Sequence, residues 1–108
     1  MRIRWISVPA AALVVLSPGP ALADEALAKR SGCLECHSVD QKKVGPAYRD
    51  VAARYRSDRR AAEALMEKIR NGGKGNWTDI TGGKSMPPHS NLLSAAEIAR
   101  LVKWVLSH

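Results

Sequence analysis

Cys33-Leu34-Glu35-Cys36-His37 is the stretch on which the reading of this chain turns. Two thiols three residues apart reach one face of a flat ligand, and a histidine directly after the second can aim its ring at the ligand's centre. Covalent haem attachment makes those demands: two thioether links and one axial imidazole on iron. Other uses of the motif fit less well. A redox Cys-x-x-Cys pair sits near alternating strands and helices, and no strand pattern is visible. A zinc site needs two more ligands, and outside the motif the imidazoles are His89 and His108, both distant in sequence. Two cysteines are also too few for a disulfide scaffold.

The cofactor reading bears on size. The chain has 108 residues and no phenylalanine. One small domain fits that length, whereas a (β/α)8 barrel needs about 250 residues. A domain this short and poor in large side chains is marginal unless something else fills its centre.

Residues 1–23 stand apart from that domain. Arg2 and Arg4 precede an apolar run from Trp5 to Leu16, Ser17-Pro18-Gly19-Pro20 breaks it, and Ala21-Leu22-Ala23 supplies small residues two apart. This is the three-part pattern of a secretory signal, cleaved after Ala23. The run is 12 residues long, against about 20 for a spanning helix, so no stable membrane insertion is expected. Cleavage leaves residues 24–108 as the folded domain. Losing Arg2 and Arg4 reduces the 17 basic residues to 15, against 10 acidic ones. Export and the lack of interleaved aromatic residues argue against nucleic-acid binding.

The remaining pattern is helical. Short helices are expected over Asp24–Ser31, stopped by Gly32, and over Pro46–Arg56, with proline in the first turn. A third is expected over Asp58–Arg70, capped by Ser57, with Ala61, Ala62, Leu65, Met66 and Ile69 on one stripe. Residues 72–91 are rich in glycine, proline and polar side chains and read as loop. Ser94 and Glu97 form a capping box, with Leu93 and Ile98 placed as a hydrophobic staple. Ile98, Leu101, Val102 and Val105 then recur at helical spacing, with Trp104 off the centre of the stripe.

A second axial ligand could be Met, His, Lys or water. Met66 lies in a helical apolar stripe and reads as core. Met86 lies in a polar loop directly before Pro87-Pro88, where no helix forms, and a stiff extended segment there can present a thioether to iron. His89 is the rival, Lys84 serves only when deprotonated, and His108 reads as a frayed terminus.

The haem motif, Val44-Gly45-Pro46-Ala47-Tyr48, Trp77, Met86-Pro87-Pro88 and Leu101-Val102-Lys103-Trp104-Val105-Leu106 follow one another in order. Together they resemble the small class I monohaem cytochromes c of bacteria, in the short periplasmic form that carries electrons in pseudomonad respiration and denitrification. The resemblance implies an all-α fold of four or so short helices wrapped around one haem c. It implies Cys33 and Cys36 as attachment points and His37 and Met86 as axial ligands. It further implies that the Pro46 carbonyl accepts a hydrogen bond from His37, that the Trp77 indole donates to a haem propionate, and that Lys68 pairs with a propionate. Two departures stand out: Ala28 occupies a position usually aromatic, and His89, with Asn91 nearby, stands where an asparagine usually supports the methionine sulfur.

A His/Met pair leaves no open position on iron, which favours electron transfer over enzymatic catalysis. The function expected is a monomeric periplasmic shuttle between a quinol-oxidising complex and a terminal reductase or oxidase. The alternative is a dedicated haem partner of one dehydrogenase, for instance one oxidising sulfur compounds. Lys29, Lys42, Lys43 and Lys84 are expected to steer acidic redox partners towards the haem edge. Arg54, Arg56, Arg59 and Arg60 read as solvated helix charge.

Overall fold

The computed structural model describes residues 2–14 and 19–108. Residues 2–14 are exposed and carry no regular structure. The end of the apolar run at Val15 and Leu16, and Ser17-Pro18 of the breaker, lie outside the described residues.

Six helices follow: α1 Pro20–Arg30, α2 Cys33–Cys36, α3 Tyr48–Tyr55, α4 Ala61–Asn71, α5 Thr78–Thr81 and α6 Ala95–Leu106. No strand occurs among the described residues; an isolated antiparallel bridge joins Gly73 to Met86. The all-α, class I expectation therefore holds, with α2 and α5 as single turns. No helix among the described residues is long and apolar enough to cross a membrane.

The organising element is α6, against which α1, α3 and α4 all pack. Its start forms where expected. The Glu97 amide donates to Ser94 Oγ at 3.2 Å, and the Ser94 amide donates to Glu97 Oε1 at 3.0 Å. Leu93 and Ile98 are both buried, as a staple requires. Trp104 departs from expectation. It is buried at 5% exposure and meets the Tyr48 ring edge-on, with centroids 5.4 Å apart. The α6 face is wider than its aliphatic stripe because α3 covers the flank that α1 and α4 leave open. His108 is likewise no frayed end: it is half-buried, its ring 4.8 Å from Trp104.

Helix α1 begins at Pro20, earlier than expected, because proline suits the first helical position and Gly19 is extended. It runs without a break through Ala23-Asp24. Leu27 and Ala28 are both fully buried against α6, so an alanine at the usual aromatic position brings the two backbones close. Two ion pairs flank the contact, half-buried Asp24 with Arg100 at 3.0 Å and Arg30 with Glu97 at 3.9 Å. Gly32 ends the segment at φ +82°, the left-handed region where glycine is favoured.

Two boundaries move for identifiable reasons. Helix α3 starts at Tyr48, not Pro46, because the Pro46 carbonyl is taken by a side chain and Ala47 is extended. Helix α4 starts at Ala61 with Arg60 at the N-cap position and no side-chain cap, so Ser57 does not cap it. Asp58 Oδ1 accepts from the Arg60 amide at 2.8 Å, forming a turn that holds the chain off the helix. The expected loop over 72–91 contains α5 and the Gly73–Met86 bridge.

Candidate functional site: a haem cavity

The helices and loops border a cavity of about 370 Å3. Cys33, Cys36, His37, Pro46, Lys68, Trp77 and Met86 all line it, so residues scattered over half the chain meet at one cavity. The apolar face of α4 also turns inward there. Leu65 and Ile69 are only half-buried because their free side faces the cavity. Met66 packs against the core instead.

The His37 side is built from a single turn. The His37 amide donates to the Cys33 carbonyl at 2.9 Å, which closes α2 and places both thiols and the imidazole together. Both cysteines are free thiols, Cys33 buried and Cys36 half-buried. Burial pushes the Cys33 thiol up. His37 Nδ1–H donates to the Pro46 carbonyl at 2.8 Å, which fixes the tautomer and leaves Nε2 free to ligate. Burial also depresses the His37 pKa, only partly offset by the Pro46 bond, so the neutral ring that a metal requires is favoured.

Three supports of His37 are not evident from motif spacing. Tyr48 stacks on the imidazole with centroids 4.9 Å apart and planes 17° from parallel. Burial raises the Tyr48 pKa far above the working range, so the phenol stays neutral. At Gly45 a Cβ would lie 2.5 Å from His37 Cε1, so only glycine lets the loop pass the ring. That loop is pinned where the Gly45 amide donates to the Cys36 carbonyl at 2.7 Å.

Met86, which also lines the cavity, is held by its backbone. Gly73 and Met86 exchange both amide–carbonyl hydrogen bonds at 2.9 Å. A Cβ at Gly72 would collide with the Met86 carbonyl, and its φ of +69° independently favours glycine. His89 is buried and lines the cavity, whereas Asn91 is exposed and does not.

Trp77 and Lys68 also line the cavity. The Arg54 guanidinium sits over the Trp77 ring at 4.7 Å and donates to the Asn76 carbonyl at 3.1 Å. Arg54 is thus a clamp on the Trp77 loop and not merely a solvated charge. Lys68 Nζ reaches the Gly72 carbonyl at 3.4 Å. Of the lysines expected at the cavity edge, Lys84 lines it, together with Lys74; Lys43 donates to the Leu34 carbonyl at 3.0 Å beside α2. Lys29 and Lys42 are exposed elsewhere.

The residues fit a haem. Two free thiols and an anchored imidazole lie in one wall of a cavity otherwise lined largely by apolar groups. A thioether lies in the same enclosure, and glycine leaves room for the imidazole.

Comparison with known proteins agrees. The family model described as Cytochrome c matches residues 18–108. The chain belongs to the cytochrome c family. This cytochrome is 51% identical to cytochrome c-551 of Allochromatium vinosum over 86 residues, covering 80% of this chain and 86% of that protein. It is 42% identical to cytochrome c-551 of Pseudomonas aeruginosa over 106 residues, covering 92% and 96%. Its fold matches the crystal structure of wild-type Nitrosomonas europaea cytochrome c552 with a TM-score of 0.68 at 41% identity, over 77% of this chain and 96% of that one. The cytochrome carries electrons on one covalently bound haem c.

Proposed function

We propose that this cytochrome is exported, loses residues 1–23 on the way, and shuttles single electrons in the periplasm between a quinol-oxidising complex and a terminal reductase or oxidase. Cys33 and Cys36 anchor the haem through thioethers, and His37 and Met86 are its axial ligands. When bound, the haem iron accepts and returns one electron.

The observation that supports the ligand assignment is that His37 and Met86 line the same cavity. His37 is anchored through Nδ1 at 2.8 Å, and Met86 is held in the same cavity by its two-way bridge to Gly73. A thioether ligand raises the reduction potential of a haem, and an iron held by both side chains would leave no site open to oxygen or substrate. Pro46 orients the His37 ring. Trp77 and Lys68 supply an indole N–H and an ammonium to the haem propionates, with Arg54 holding Trp77 in place.

The ligand test is spectroscopic. The loaded ferric protein is expected to show the long-wavelength sulfur-to-iron band and to ignore carbon monoxide when reduced. Met86→Ala should abolish that band and lower the potential; persistence of the band would overturn the assignment. Export is tested by the mass of the secreted protein, which should begin at Asp24.

A further inference from the structure

We propose that His89 is a reserve axial ligand, which takes the iron when the Met86 sulfur leaves it. The inference rests on the reading of Met86 as the native ligand.

His89 is the single polar side chain among the fully buried residues described, at 6% exposure. Buried polar groups normally have hydrogen-bond partners, yet His89 Nδ1 has none among the described residues. Its ring nevertheless lines the cavity shared by His37 and Met86.

The backbone, not the ring, holds His89 in place. Its amide donates to the Ile69 carbonyl at 3.0 Å, and its carbonyl accepts from the Leu92 and Leu93 amides, each at 3.0 Å. An imidazole is therefore kept in the cavity wall without a bond that would tie it elsewhere.

The same details explain why His89 waits behind Met86. A ligating histidine gains basicity and orientation when its second nitrogen donates to an acceptor. His37 has that acceptor in Pro46, and His89 has none. Met86 is meanwhile held by two backbone bonds to Gly73. In the exchange, the iron–sulfur coordinate bond breaks and an iron–nitrogen bond forms, with no change in electron count. Iron stays six-coordinate, so loss of the thioether lowers the potential without opening a site for small ligands.

The experiment compares four haem-loaded proteins: wild type, Met86→Ala, His89→Ala and the double variant. Wild type and His89→Ala should both show the sulfur-to-iron band. Met86→Ala should be low-spin with a two-imidazole electron paramagnetic resonance signature. It should bind carbon monoxide at least ~10-fold more weakly than the double variant, because His89 competes for the position. The double variant should be high-spin. Identical spectra and carbon monoxide affinities for Met86→Ala and the double variant would overturn the proposal while leaving Met86 as native ligand. A wild type without the sulfur band that turns high-spin on His89→Ala would overturn both, since His89 would then be the native ligand. Should Met86→Ala fail to load haem, Met86→Leu keeps the apolar volume and gives the same comparison.

Discussion

At the residue scale, the site depends on what lies behind the ligand as much as on the ligand itself. His37 is gripped by the Pro46 carbonyl, the Tyr48 ring and a glycine that leaves it room. Gly45→Ala forces a methyl group into the imidazole, and overpacking of this kind costs about 1–3 kcal/mol. The loaded variant should melt several degrees lower, and its potential should shift because the ring is turned. An unchanged melting temperature would mean that the Lys43–Pro46 loop yields freely. Cys33, Cys36, His37 and Met86 were visible in the sequence because each is chemically distinctive for its setting. Gly45 and Tyr48 carried no such mark, since their roles exist only where two segments meet. Arg54 was read as solvated charge for the same reason: its partner, Trp77, lies 23 positions away in sequence.

At the element scale, local signals succeeded where they were self-contained. The α6 capping box lies within four residues, and both of its bonds form. Removing it with Ser94→Ala should cost about 1 kcal/mol, measurable by denaturant unfolding. The effect should depend on pH. The Ser94 amide, then its hydroxyl, hold the Glu97 carboxyl below the usual carboxylate range, with smaller help from Arg30 and Arg100. A carboxyl depressed in the folded state contributes stability above its unfolded pKa and loses it as pH falls through the folded value. Alanine keeps the amide and loses only the hydroxyl, so the gap between wild type and Ser94→Ala should narrow modestly on acidification; a gap constant with pH would show that the hydroxyl does not act on Glu97. The starts of α3 and α4 were misjudged because tertiary or turn bonds intervened. The Pro46 carbonyl serves His37, and Asp58 closes its own turn before α4 begins.

At the scale of the whole molecule, charge and enclosure matter together. Lys74 and Lys84 lie on the cavity wall and are exposed, and Lys43 is exposed beside the haem-attachment turn. This arrangement suits an acidic partner approaching the haem edge. Reversing Lys74 and Lys84 to glutamate should slow reduction by an acidic redox partner about tenfold or more at low ionic strength. The difference should shrink as salt is added. Equal rates at low salt would place the docking surface elsewhere.

The cofactor, the helical class and the chemically distinctive residues that line the cavity are legible along the chain, because covalent attachment, helix caps and prolines act over a few residues. The enclosure was not. Whether Ala28 weakens the core, whether His89 or Asn91 faces the cavity, and whether Trp104 lies inside or at the edge all depend on which faces meet. Those meetings are set by the packing of α1, α3 and α4 on α6. Burial, contact between distant segments and the room left by a missing Cβ are properties of that packing, and no local pattern encodes them.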